Sequence, residues 1–179
     1  MSDERELLRQ TVAALVDKHA GPEAVRAAME SERGYDGSLW QLLCEQVGAA
    51  ALVVPERFGG AGGELADAAV VLEELGKALV PTPLLGTTLA ELALLAAAEP
   101  DTEALERLAE GAALGAVVFD PEYVINGDAA VIAVHAGGTR VTGGAPAAVI
   151  ELCSGRRALR GRARWGGGWG GLWCVGLCC

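Results

Sequence analysis

The stretch that decides the fold is LVVPERFGGAGG at residues 52–63, which runs into a helical segment containing EELG at residues 73–76. Four glycines fall within five positions, from Gly59 to Gly63, directly after a short apolar run closed by Pro55. Glycine is favoured where the backbone takes a positive φ or passes close to another group, so this stretch does not fit the interior of a helix or a strand. The residues by themselves indicate a tight connecting loop.

Helical periodicity flanks this loop on both sides. Leu8, Val12 and Leu15 fall at helical spacing and predict a first helix that ends near His19, with Ser2 as its N-cap. Pro22 suits the first position of a second helix, and Ser38 is expected to cap a third helix that Gly48 closes. Three further helices are predicted at Glu64–Val80, Thr88–Ala98 and Thr102–Gly111.

After these helices the helical periodicity ends, and short runs rich in β-branched residues follow, separated by Gly or Pro. Strands are predicted at Ala116–Phe119, Ala130–Val134, Thr139–Thr142 and Ala148–Ile150. A helical block followed by strands predicts an α+β chain. We therefore expect an all-α N-terminal domain over residues 1–111, then an incomplete antiparallel β domain over residues 112–152.

Residues 153–179 have a different composition. They contain eight glycines, three tryptophans, four cysteines and five arginines, and no acidic residue. This composition is typical of a GC-rich gene translated in the wrong reading frame, and we expect a disordered tail. Three alternatives are a zinc site at Cys174, Cys178 and Cys179, binding of single-stranded nucleic acid, and a membrane-surface anchor. The cysteine spacing offers at most one zinc-binding pair, and the glycines disfavour an amphipathic helix.

Charge and motif content exclude several function classes for the body of the chain. Residues 1–152 hold all 24 acidic residues and nine Lys or Arg, a balance of −15, which argues against a nucleic-acid surface. We expect no secretory signal, no membrane span and a cytoplasmic location. His19 and His135 are the two histidines, and neither lies in a triad-like pattern. Cys44 fits a core position, and we expect no metal site and no phosphate-binding glycine motif.

The order of these elements resembles the N-terminal helical domain of the acyl-CoA dehydrogenase family, whose pattern reads roughly LW..L...G...L.VPE.YGG.GG......V.EELG......P. The resemblance covers about residues 1–110 well and residues 111–152 loosely. It implies an oxidoreductase that forms a 2,3-enoyl-CoA from an acyl-CoA, with FAD as the hydride acceptor, in lipid or sterol side-chain catabolism. In that family a glutamate of a C-terminal helical domain removes the α-proton. No segment of this chain matches that domain, so we expect no catalytic residue here and no activity of the chain alone.

The resemblance also implies where the acyl pocket lies. In the family the loop and the following helix help to wall that pocket, and the matching residues here are Pro55, Glu56, Phe58, Gly59, Gly60, Gly62 and Gly63. The family's flavin motif, Thr-Glu-Pro followed by Gly-Ser-Asp, is not matched. Phe119-Asp120-Pro121-Glu122 and Asn126-Gly127-Asp128 stand in its place, so the flavin-binding residues of this chain stay unassigned.

Three functions remain open from the sequence. The first is a fragment of an acyl-CoA dehydrogenase-like flavoprotein, which would bind acyl-CoA and FAD once complete. The second is a non-catalytic subunit in a homo- or hetero-oligomer with another acyl-CoA dehydrogenase subunit. The third is a helical interaction module, which would rest on the acidic helical surface alone.

Overall fold

The computed structural model describes residues 3–119, 124–127, 129–135 and 148–151. Six α-helices precede three short β-strands along the chain. The helices are α1 (Asp3–His19), α2 (Pro22–Glu30), α3 (Gly37–Val47), α4 (Leu65–Lys77), α5 (Leu84–Leu95) and α6 (Thr102–Ala109). The strands are β1 (Gly115–Val118), β2 (Ile132–His135) and β3 (Ala148–Glu151), and a 3-10 turn spans Glu56–Phe58.

The first three helices follow the sequence prediction closely. α1 ends at His19, and Pro22 occupies the first turn of α2, as predicted. Gly48 closes α3 in the left-handed conformation at φ 65°, which glycine adopts without a steric penalty. The predicted cap at Ser38 is wrong, because the carboxylate of Asp36 accepts hydrogen bonds from the backbone N–H groups of Ser38 at 2.8 Å and Leu39 at 3.3 Å. The predicted cap at Ser2 lies outside the described residues.

The later helices are shifted or shortened relative to their predicted bounds. α4 begins after Glu64, whose backbone N–H donates to the Asp67 carboxylate at 2.7 Å, and it ends before Leu79, which has φ 56°. α5 begins at Leu84, directly after Pro83, so the prediction that Thr88 starts this helix is wrong. Threonine caps helices at exposed ends, whereas Thr88 is buried in the second turn of α5.

The sheet is parallel, with strand order β1-β2-β3, so the prediction of an antiparallel β domain is wrong. In the register, Gly115 pairs with Ile132 and Val118 pairs with His135. Parallel strands need a long crossover connection, and residues 119–131 supply one between β1 and β2. All four residues of β1 are buried, which is usual for parallel strands but not for antiparallel sheets with one solvated face. The strand predicted at residues 139–142 and the tail from residue 153 lie outside the described residues.

Two apolar cores meet along α5. The first lies among α1, α3 and α4, with Val12, Leu43 and Val71 fully buried. The second lies between α5, α6 and the first two strands, and includes Leu94, Leu105 and Ile132. α5 supplies Leu84 to the first core and Ala90 and Leu94 to the second. The sheet therefore packs against the helical body through α5.

Ion pairs join α1 to α4 on the outer side of the first core. Arg9 binds Glu74 at 2.5 Å and Glu73 at 3.2 Å, and Arg5 binds Asp67 at 2.7 Å and also contacts Glu64. These contacts place α1 across the first helix after the glycine-rich loop. Among the described residues, no helix has the length and apolar character required to cross a membrane.

Candidate functional site

The glycine-rich loop is fastened by its own backbone. The N–H groups of Ala61, Gly62 and Gly63 each donate at 2.8 Å to the carbonyl oxygens of Ala51, Val54 and Leu52, respectively. The segment Ala61–Gly63 thus lies alongside the apolar run that precedes Pro55. An internal network of this kind indicates a fixed loop rather than a flexible connector.

Glycine is required at the four positions of this loop for two different structural reasons. Gly59 and Gly62 take positive φ values of 77° and 67°, which confirms the prediction that at least one glycine of this loop is left-handed. Gly60 and Gly63 instead have no room for a side chain. A Cβ at Gly60 would overlap the Val54 carbonyl group, and a Cβ at Gly63 would lie 2.7 Å from the Leu52 carbonyl oxygen. Each glycine therefore answers a local requirement of the backbone.

The predicted pocket residues lie together at the surface of this loop. Pro55 precedes the 3-10 turn, Glu56 is exposed, and Phe58 packs partly against the second core beside α6. The guanidinium of Arg57 lies 4.6 Å from the centre of the Phe58 ring, a cation–π contact. The structure thus brings the residues from Pro55 to Gly63 into one rigid, outward-facing edge.

A separate cavity lies away from this loop. It has a volume of about 630 Å³ and lies between α3 and the segment that joins α6 to β1. Trp40, Cys44 and Leu114 form its inner wall, and Arg33, Glu45 and Glu110 are charged residues at its rim. No residue from Pro55 to Gly63 belongs to its lining. The loop and the cavity are thus two separate surface features.

Cys44 lies between this cavity and the interior. Burial raises the pKa of its thiol to about 11, and the carboxylates of Glu91 and Glu45 add to that shift. A thiol with so high a pKa is a poor nucleophile at neutral pH, which agrees with the prediction that Cys44 is a core residue. Gly111, with φ 69°, crosses directly over it, because a Cβ there would lie 2.7 Å from Cys44 Sγ.

Glu91 of α5 is the residue of chemical interest that the sequence prediction missed. Its side chain is 1% exposed, and neither carboxyl oxygen has a hydrogen-bond partner among the described residues. Burial raises its pKa to about 9, so the group is neutral at pH 7. Its spacing was the available signal, because it lies four residues after Thr87 and seven after Leu84 on the buried face of α5.

The described residues do not form a metal or flavin site. They contain no group of three or more His, Cys, Asp or Glu side chains placed to hold a metal ion. A flavin ring needs hydroxyl and amide donors after the first strand, whereas Phe119 follows β1 there and is 76% exposed. The two residues with unpartnered buried polar atoms in this part of the chain are Trp40 and Glu91, and neither lies after β1. These residues therefore offer no cradle for FAD by themselves.

Sequence relatives cover the helical part of the chain. Residues 2–112 match the family model described as acyl-CoA dehydrogenase, N-terminal domain. Acyl-CoA dehydrogenase IpdE2 of Mycolicibacterium smegmatis is 77% identical over 142 residues, which cover 79% of this chain and 45% of that protein. IpdE2 of Mycobacterium tuberculosis is 71% identical over 140 residues, 78% of this chain and 44% of that protein. The chain thus spans about half the length of the curated relatives that it matches.

Solved structures give the same fold. A variant of the Tcur3481-Tcur3483 steroid ACAD aligns with a TM-score of 0.61 and 30% identity over 74% of this chain and 37% of that one. The ChsE4-ChsE5 complex from Mycobacterium tuberculosis aligns with a TM-score of 0.60 and 27% identity, over 67% of this chain and 34% of that one. The family model matches more than half of the chain and the solved relatives share its fold, so the chain belongs to the acyl-CoA dehydrogenase family.

Proposed function

We propose that this chain supplies the N-terminal helical part of an acyl-CoA dehydrogenase subunit that oxidises the thioester of a lipid or sterol side chain, with FAD as the cofactor of the complete enzyme. The observation that carries this proposal is the family match over residues 2–112. The family match ends at the boundary that we propose between a helical domain (1–111) and a partial β domain (112–152). Residues 153–179 form a separate segment in this division.

The chain alone is proposed to be inactive. The reaction removes a proton from Cα and a hydride from Cβ of the acyl group, so it needs a base, an acceptor and a pocket that aligns the two bonds. Among the described residues, Glu91 is the carboxyl group with a strongly raised pKa, yet it is not among the residues that line the 630 Å³ cavity. General-base catalysis alone contributes about two to four orders of magnitude to the rate. A chain without a positioned base and flavin contacts should therefore show no turnover.

We further propose that the edge from Pro55 to Gly63 faces the acyl group in the complete enzyme. Support comes from its rigidity and exposure, because the backbone bonds fix the loop from inside while Glu56 and Gly59 stay exposed. Substrate-positioning surfaces need this combination, since a loop that moves by an ångström loses alignment. Phe58 would contribute an apolar ring to the side of this edge that faces the acyl group.

A second candidate is a non-catalytic subunit in an assembly of unlike chains. It is favoured by the two solved relatives, each of which is named as two polypeptides, Tcur3481-Tcur3483 and ChsE4-ChsE5. In this version the helical body of the chain stabilises a catalytic partner and contributes no reacting group. An independent helical interaction module has no further observation in its favour.

Flavin and turnover measurements on the purified chain test the proposal. We expect neither visible flavin absorbance after purification nor quenching of FAD fluorescence on titration. We also expect no oxidation of short, long or steroid side-chain acyl-CoA thioesters with an artificial electron acceptor. Co-expression with a candidate catalytic subunit of the acyl-CoA dehydrogenase family should then yield a stable complex. Turnover by the isolated chain would overturn the claim of inactivity, and failure to join any such complex would remove the subunit assignment.

A further inference from the structure

Glu91 is enclosed on every side that the structure describes. It lies on α5 between Ala90 and Leu94, which are both fully buried in the second core. Its carboxyl group is 1% exposed, and both oxygens lack a hydrogen-bond partner in this part of the chain. An ionised carboxylate in such a place costs far more free energy than a neutral acid, because neither water nor a donor solvates it.

In the part of the chain that the structure describes, no cation forms an ion pair with Glu91. α3 contributes the Cys44 thiol, and β1 contributes no titratable side chain. On β2, His135 pairs in register with Val118, at the end of the ladder opposite Gly115. The charged residues of the neighbouring helices are either exposed or already paired: Glu103, Glu106 and Arg107 on α6, and Glu73, Glu74 and Lys77 on α4. Burial is the one cause acting on Glu91 itself.

α5 and β1 are in direct contact on the turn of α5 that precedes Glu91. The backbone N–H of Gly115 donates to Thr87 Oγ1 at 3.2 Å, one helical turn from Glu91. A Cβ at Gly115 would lie 2.6 Å from the Ala90 Cβ, so the strand and the helix leave no space between them there. The sheet thus closes this side of α5 in the core that encloses Glu91.

We propose that Glu91 is held as a neutral carboxylic acid in the folded chain, and that its ionisation destabilises the packing of α5 in the core. The buried acid thus makes the stability of this fold sensitive to pH. The inference stands apart from the proposed enzymatic function, since it concerns the fold of this chain alone.

The direction of the pH effect follows from the raised pKa. The folded pKa is about 9, against an ordinary value of 4.5. The stabilisation by the neutral acid is complete below the ordinary value and is lost as pH rises toward the folded value. Between these limits the unfolding equilibrium constant should rise by about tenfold per pH unit, because folding then takes up one proton. In the window from about pH 6 to about pH 8, Cys44 titrates above and the paired carboxylates of α4 titrate below. Every other titrating group is common to wild type and Glu91→Gln, so the difference between the pH dependences of these two proteins reports on Glu91.

Urea unfolding of the full chain across this window tests the inference. We expect the wild-type unfolding constant to rise by up to about 100-fold from about pH 6 to about pH 8. Glu91→Gln has nearly the same shape and no titrating group, so its unfolding constant should be almost independent of pH. Glu106→Gln is the matched control on the exposed face of α6 and should keep the wild-type dependence. A Glu91→Gln protein with the wild-type pH dependence would overturn the proposal.

Infrared spectroscopy of the wild-type chain tests the protonation state directly, even if Glu91→Gln does not fold. A folded sample near neutral pH should show the C=O stretching band of one protonated carboxyl group, and that band should disappear in urea. Exposed carboxylates are ionised under these conditions and give no such band. The absence of the band from the folded protein would overturn the proposal.

Discussion

The backbones of Gly63 and Leu52 are in direct contact, and no side chain fits between them. The N–H of Gly63 donates to the Leu52 carbonyl oxygen at 2.8 Å, and a Cβ on Gly63 would lie 2.7 Å from the same oxygen. The hydrogen bond and the missing side chain are therefore linked, because any larger residue must break the bond to relieve the overlap. Gly60 has the overlap without the hydrogen bond, because a Cβ there would meet the Val54 carbonyl group whereas its N–H donates to the Pro55 carbonyl oxygen at 3.3 Å.

Alanine substitutions in this loop should thus be costly. We expect Gly60→Ala and Gly63→Ala each to lower the free energy of unfolding by more than about 1 kcal/mol, through overlap with backbone atoms. Gly59→Ala should cost about 1 kcal/mol for its positive φ alone. Gly76→Ala is the matched control, since Gly76 lies in α4 with open space around it and should gain about 0.5–1 kcal/mol from the better helix former. Urea midpoints measure all four, and unchanged midpoints at Gly60 and Gly63 would mean that the loop is only a flexible connector.

The ion pairs between α1 and α4 should stabilise the folded chain near neutral pH, and this stabilisation should be lost at acid pH. The hydrogen bond from Arg9 is the largest cause that lowers the pKa of Glu73. The pKa of Glu74 is lowered mainly by the hydrogen bond from Lys77 and also by that from Arg9. Carboxylates with lowered pKa values stabilise the fold above their ordinary values, and this stabilisation disappears as pH falls. The difference in urea midpoint between wild type and Arg9→Gln should therefore be largest near neutral pH and shrink below about pH 4.

Arg33→Gln is the control for Arg9, because Arg33 makes no ion pair among the described residues. Its midpoint difference from wild type should not depend on pH. High salt should reduce the effect at Arg9, as expected for pairs near the surface. An Arg9→Gln difference that stays constant from neutral to acid pH would contradict an electrostatic origin.

The thiol of Cys44 should react slowly. Its pKa of about 11, against an ordinary value of 9.0, lowers the thiolate fraction about 100-fold near neutral pH. We expect alkylation of the peptide that contains Cys44, followed by mass spectrometry, to be slower by at least this factor in the folded chain than in urea. Equal rates in the two states would show that the thiol is not enclosed as the structure describes.

Gly111 and Cys44 should show a coupled effect on stability. Gly111→Ala combines a positive φ with a Cβ that would lie 2.7 Å from Cys44 Sγ. In a Cys44→Ala background the sulfur is gone, so Gly111→Ala should cost less there, although the penalty for φ remains. A double-mutant cycle in urea measures the difference. Strict additivity of the two substitutions would mean that the crossing of Gly111 over Cys44 is looser than described.

Local signals in the sequence were enough to predict the helices and the loop. Pro22, Gly48 and the glycines from Gly59 to Gly63 each report a backbone requirement that adjacent residues determine. The start of α5 was misplaced because Thr87 and Thr88 have the side chains of capping residues. Thr87 instead accepts a hydrogen bond from Gly115, 28 positions away, which no local pattern indicates.

The errors in the sheet and the site have the same origin in long-range contacts. Short runs such as Ala116-Val117-Val118 predict strands but carry no information on direction, which depends on the path of residues 119–131. The spacing of Glu91 from Leu84 and Thr87 puts the three residues on one face of α5. Which face of this helix is buried depends on how the helix packs against the sheet, and no local pattern indicates that.

The pairing of α1 with α4 has a kinetic consequence. Arg9 and Glu74 are 65 positions apart, so α1 has only α3 as a partner for its apolar face until the glycine-rich loop and α4 have been synthesised. Helical proteins usually fold fast because their contacts are local, whereas closure of a long loop must precede the contact between α1 and α4. During synthesis, the side of the first helix that packs on α4 therefore stays exposed until the chain has passed the loop.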